Sequence, residues 1–195
     1  MKHSSLEQIQ AAFQASAQVK SQMAKDPAFL ALVEQAAARL IKTVKDGGTI
    51  YTCGNGGSAC DAMHFAEELV ARYKLERPGI KAMHMADPGI LTCWSNDYEF
   101  DTVFERYVQT FCGPKDTLVA ISTSGNSQNI LNAIQAARSR GTFTLGLGGK
   151  SGGCMKDACD LAIIAPANET ERIQEAHITL IHVLCQLIEE SVIHA

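Results

Sequence analysis

Thr49-Ile50-Tyr51-Thr52-Cys53 runs into Gly54-Asn55-Gly56-Gly57-Ser58-Ala59, a β-branched stretch that breaks into a glycine-rich loop. A helix to about residue 72 follows. Strand, loop and helix form the opening unit of a parallel α/β sheet. The unit recurs in kind downstream. Thr117-Leu118-Val119-Ala120-Ile121 reads as a buried strand, and Ser122-Thr123-Ser124-Gly125-Asn126-Ser127 leads from it into a helix marked by Ile130, Leu131, Ile134 and Ala137. Residues 80–86, 142–147 and 161–165 are three more strand candidates. Asp87-Pro88 starts a helical stretch, Phe100 to Phe111 carry an amphipathic pattern, and residues 170–192 read as a long last helix. Alternation of this kind predicts a mostly parallel sheet covered on both faces.

Upstream of the first strand, two helices are expected. Leu6, Ile9, Phe13 and Val19 form the first stripe. Asp26-Pro27 restarts the helix, with an N-cap acid before proline at the first helical position. Phe29, Leu30, Val33, Ala37, Leu40, Ile41 and Val44 then share one face, and Gly47-Gly48 ends it.

Composition bounds the rest. With 195 residues, 46% hydrophobic and 19% charged, the chain suits one domain with a substantial core and argues against disorder. A net charge of −4 makes a poor general nucleic-acid binder, so no nucleic-acid partner is expected. No apolar run approaches the ~18 residues of a membrane span. Residues 1–7 lack an apolar signal core, which predicts no membrane association. Seven cysteines without a Cys-x-x-Cys pair fit reduced thiols in a cytoplasm.

The two loops suit anions. Glycines around Asn55, Gly56 and Gly57 let backbone N–H groups turn toward a ligand at a helix N-terminus. A tight turn explains this loop equally well, and Gly54-x-Gly56-x-x-Ala59 fits a loose dinucleotide fingerprint. The second loop sets Ser122, Thr123, Ser124 and Ser127 at a helix start. One hydroxyl would cap a helix; four suit several acceptor oxygens, as on a phosphate monoester. Gly148-Gly149-Lys150-Ser151 mimics the end of a Walker loop, but position 144 is threonine where that motif needs glycine.

Asp61, His64 and Glu68 lie on the helix after the first loop, with His64 and Glu68 four residues apart on one face. That pair suits a divalent metal or acid–base chemistry. Gln174, Glu175, His177 and His182 lie on the last helix. Gln174 and His182 are separated by about 12 Å along a helix axis, whereas His177 is the nearer neighbour of Gln174. Spacing does not choose His182 over His177.

Cys53-Gly54-Asn55-Gly56-Gly57-Ser58, Asp61-Ala62-Met63-His64-Phe65-Ala66-Glu67-Glu68-Leu69, Arg77-Pro78-Gly79, Asn96-Asp97, the serine loop and Arg172-Ile173-Gln174-Glu175 together resemble the phosphoheptose isomerases of the sugar isomerase (SIS) superfamily. The resemblance spans essentially the whole chain. It implies a five-stranded parallel sheet flanked by helices, a single domain over residues 1–195, and a homotetramer with sites at subunit interfaces. Residues 1–47 would serve oligomer packing and residues 48–195 the α/β core. It implies substrate contacts from Asn55, Gly56, Gly57, Glu68, Asn96, Asp97, Ser122, Thr123, Ser124, Ser127 and Gln174. It also implies one zinc per subunit, held by His64, Glu68, Gln174 and His182. The implied reaction is aldose–ketose isomerisation of sedoheptulose 7-phosphate through an enediol, with Glu68 and His182 as the acid–base pair, toward ADP-heptose for lipopolysaccharide. Glu171 stands where such chains often have Asp or a small residue. The rival readings are a non-catalytic module that binds a sugar phosphate or a replication-initiation protein, a sugar-phosphate-sensing regulator, and a dinucleotide enzyme.

Overall fold

Strand β1 (Ile50–Gly54) pairs in parallel with β2 (Ala82–His84) on one side and with β3 (Thr117–Ser122) on the other. Strands β4 (Phe143–Gly148) and β5 (Leu161–Ile164) extend the sheet, giving the order β2-β1-β3-β4-β5. The computed structural model describes residues 4–193; His3 and His194, to which no role is given, lie outside them. All the pairings are parallel, as the alternation of elements predicts.

Helices cover both faces because successive strand residues point to opposite sides. On one face Ile50, Val119, Ile121, Leu145, Leu147 and Ile163 pack with helices α2 (Pro27–Lys45), α3 (Gly57–Val70) and α8 (Thr170–Ile193). On the other, Tyr51, Cys53, Leu118 and Ala120 pack with α5 (Val103–Phe111) and α6 (Gln128–Ser139). Helices α4 (Pro88–Asp97) and α7 (Met155–Ala158) complete the fold, together with a 3-10 turn over Phe100–Thr102. The turn and the four-residue α7 were not expected from periodicity.

Asp26 caps α2 by accepting from the N–H groups of Ala28 and Phe29, with Pro27 at the first position. Strand β2 is shorter than the expected 80–86 run. It has one partner only, and the N–H of Ile80 is taken by the carbonyl of Leu69. Of the apolar stripe expected on α1 (Ser5–Lys25), Leu6, Ile9 and Phe13 are exposed and Val19 is half-buried against the core. Helix α8 could span a membrane by length and composition alone, although its apolar residues are interrupted by Glu175, His177, His182 and Gln186. Ile173, Ala176, Leu180, Ile181, Leu184, Cys185 and Ile188 of this helix are buried in the protein core.

Strand order places the switch between β1 and β3. The chain leaves β1 toward β2 on one side and β3 toward β4 on the other. A crevice opens between such strands at their carboxyl ends, where ligands bind in open α/β sheets.

Candidate active site

Both anion loops meet at this crevice. Gly56 takes a φ of 55° as N-cap of α3, a conformation that favours glycine. The amide of Gln174 lies over Gly57, so a Cβ at that position would collide with it. Asn55 is bolted to Asn129, near the start of α6, by two reciprocal bonds: Asn55 Nδ2 donates to Asn129 Oδ1 at 2.8 Å, and Asn129 Nδ2 donates to Asn55 Oδ1 at 2.9 Å. The two loops are thereby held in fixed register. Asn129 lies just beyond the serine motif and was missed by sequence reasoning.

In the second loop, Ser122 Oγ accepts the N–H of Gly125 at 3.2 Å and lies 3.3 Å from Ser127 Oγ. Ser124 Oγ accepts the N–H of Asn126 at 3.2 Å. Ser127 is the N-cap of α6 yet makes no side-chain capping bond. The simple capping role therefore does not account for this hydroxyl, whose side-chain partner is Ser122 Oγ, beside the N–H groups at the helix start. Thr123 is half-buried in the same loop.

Helices α3 and α8 run side by side in the same direction. Gly57 meets Gln174 at their starts, His64 meets His182 farther along, and Glu189 reaches the loop after α3. His64 Nε2 lies 3.0 Å from His182 Nε2 and 3.3 Å from Glu68 Oε1. His64, Glu68 and His182 form a half-buried group whose ligand atoms lie within 4.8 Å of one another and could hold a metal ion. Asp61, one turn before His64, has a buried Oδ2 without a hydrogen-bond partner; burial pushes its pKa up to about 6, against the pull of His64.

His177, favoured by spacing, is excluded from this group. It is fully buried, and its Nε2–H donates to the carbonyl of Gly148 at 2.9 Å, fastening α8 to the end of β4. Burial also lowers its pKa. Gln174 stands two turns nearer the loops than His182, beside Gly57. Asn96 and Asp97 end α4 exposed, with Asn96 Nδ2 donating to Asp97 Oδ1 at 2.8 Å and Cys93 Sγ to Asp97 Oδ2 at 3.6 Å; these bonds do not tie them to either loop.

The parallel sheet, the two loops at its switch point and the His–Glu–His group that could hold a metal define an α/β domain of the SIS class, and residues 12–149 match the SIS domain family. The phosphoheptose isomerase of Vibrio cholerae is 47% identical over 90% of this chain and 92% of its own length. That of Trichlorobacter lovleyi is 48% identical over 81% of each chain. The solved phosphoheptose isomerase of Neisseria gonorrhoeae superposes with a TM-score of 0.90 at 36% identity, covering 96% of this chain and all of the other. The chain belongs to the phosphoheptose isomerase family.

Proposed function

We propose that this chain interconverts sedoheptulose 7-phosphate and D-glycero-D-manno-heptose 7-phosphate, supplying heptose for ADP-heptose and lipopolysaccharide core synthesis. The observation that carries the reading is the His64–Glu68–His182 group, set on α3, which begins at the first loop, and on α8, whose Gln174 lies over Gly57 of that loop. A non-catalytic sugar-phosphate module has no need of such a group.

Ser122, Thr123, Ser124 and Ser127, with the N–H groups at the start of α6, hold the phosphate and anchor the open-chain sugar. Asn55, Gly56 and Gly57 face it from the first loop. Gln174 contacts the sugar from its place over Gly57, and Asn96 and Asp97 close on it from α4. Isomerisation of the ketose removes a proton from C1 and protonates the carbonyl oxygen at C2, giving an enediol. Return of a proton to C2 and loss of one from the C1 hydroxyl gives the aldose. Glu68 and His182 carry these protons as a pair.

The donor set fits zinc. Two imidazole nitrogens and a carboxylate oxygen suit a borderline cation, and nitrogens held at about 2.0–2.1 Å in a tetrahedron stand ~3.3 Å apart, near the observed 3.0 Å. His64, Glu68 and His182 would hold it, with Gln174 as the fourth residue of the implied set. When bound, zinc supplies Lewis-acid polarisation of the sugar's carbonyl and hydroxyl oxygens.

The exposed stripe of Leu6, Ile9 and Phe13 supports use of the N-terminal helices in packing a homotetramer with sites at its interfaces. A cytoplasmic location follows from the same reading.

The test is conversion of sedoheptulose 7-phosphate by wild type, Glu68→Gln and His182→Gln. Turnover in the wild type and a loss of at least ~100-fold in each variant supports the assignment. Near-normal turnover in either variant removes that residue from the acid–base pair, and an inactive wild type favours the binding-module reading.

A further inference from the structure

The two histidines of the metal-competent group are supported differently. His64 turns its Nδ1 toward the carboxylate of Glu67, 3.6 Å away. A carboxylate behind the ligating nitrogen is the common way to fix a metal-binding imidazole. His182 has no such partner: among the described residues no hydrogen bond reaches its Nδ1. Its ring is instead covered by Tyr73, with centroids 5.9 Å apart and planes 25° from parallel. His64 meets the same ring edge-on, with centroids 5.2 Å apart and planes at 71°.

Tyr73 sits in a loop built to hold its place. Glu189, two turns beyond His182 on α8, accepts the N–H groups of Tyr73 at 3.3 Å, Lys74 at 3.0 Å and Leu75 at 3.1 Å. It also accepts Arg77 Nε at 3.1 Å, the two side chains being 1% and 2% exposed. Arg77 spends its other N–H groups on the carbonyls of Leu69 and Glu68, each at 2.8 Å, and of Pro78 at 3.1 Å. A buried ion pair holds firmly when its remaining donors and acceptors are filled, as they are here. One knot therefore ties the end of α3, the far part of α8 and the backbone of Tyr73 into a single frame.

We infer that Tyr73 is a positioning residue for His182. Its ring fixes the imidazole plane and aims Nε2 at the metal position. An unsupported imidazole rotates about its side-chain torsions, and each misaligned rotamer removes a ligand and a proton carrier together. The inference rests on the proposed reading of His182 as zinc ligand and acid–base group.

Tyr73→Phe and Tyr73→Leu separate ring from bulk, since leucine fills space without a planar face. Zinc affinity is measured by chelator competition on full-length protein that melts as wild type does, and kcat and KM are measured at saturating zinc. Phenylalanine keeps zinc affinity and kcat within about twofold. Leucine weakens zinc binding by about 10–100-fold and lowers kcat, with KM for sedoheptulose 7-phosphate nearly unchanged. Wild-type affinity and kcat in the leucine variant overturn the inference, as does an equal loss in both variants, which would assign the effect to the hydroxyl. A wild type that binds no zinc overturns the metal reading instead, and the kcat of the leucine variant then decides the role of Tyr73.

Discussion

His64 and His182 lie 118 residues apart in the chain and bring their Nε2 atoms to 3.0 Å. Glu68 Oε1 lies 3.3 Å from His64 Nε2, so three potential ligand atoms crowd within 4.8 Å of one another. A cation satisfies all of them at once.

Removal of divalent metal is therefore expected to lower both activity and stability. Chelated protein should melt at a lower temperature and recover on addition of zinc, by about 2.7 kcal/mol at a hundredfold excess over the dissociation constant. Unchanged melting and full activity in thoroughly chelated protein would contradict a catalytic metal.

The serine loop should separate binding from stability. Ser127 makes no capping bond, so Ser127→Ala is expected to raise KM about tenfold or more with little change in melting. Ser122 is buried and accepts the N–H of Gly125, so Ser122→Ala should lose stability as well as affinity. Inorganic phosphate inhibition of each variant checks that the lost contact is to phosphate.

Asn129→Asp replaces a reciprocal amide pair by a carboxylate facing Asn55 Oδ1, and the register between the loops is lost. A fall of about tenfold in kcat/KM is expected, greater than the loss in overall stability would explain. Kinetics that match wild type would show that the loops keep their register without this pair.

Arg77→Ala leaves Glu189 buried without its cation. A loss of about 3–5 kcal/mol is expected, or roughly 6–20 °C in melting temperature. Arg77→Lys should recover only part of this, since an ammonium cannot reach the three carbonyls and Glu189 in one fork.

The same knot predicts an acid response. Burial raises the pKa of Glu189, but the N–H groups of Lys74, Leu75 and Tyr73 and the charge of Arg77 together hold it below its usual 4.5. Its folded pKa is depressed, so its contribution is present above about 4.5 and is lost as pH falls through the lower folded value. Glu189→Gln should show a flatter fall in melting temperature below pH 5 than wild type. Parallel curves would remove Glu189 from the acid response.

Much of this architecture was legible in the sequence. The buried strands were clear because runs such as Leu118-Val119-Ala120-Ile121 are apolar on both faces, as a covered parallel sheet demands. The edge strand β2 was overextended, because nothing local records that it has a single neighbour. The choice between His177 and His182 was beyond spacing. It depends on which face of α8 meets β4 and which meets α3, a tertiary fact carried by Gly148 and His64. Glu189 left one faint trace, an acid among the apolar positions of α8. Tyr73 left none, since stacking on a residue more than a hundred positions away has no local pattern.

The parallel run of α3 and α8 also sets where the chain tolerates a change of length. Extra residues in the surface turns between these helices leave their alignment intact. A single residue inserted between Gly57 and His64, or between Gln174 and His182, turns everything beyond it by about 100°. His64 or His182 would then face away from its counterpart while Gln174 still covered Gly57. Length variants of these two helices should therefore lose the metal group yet keep the loop contact.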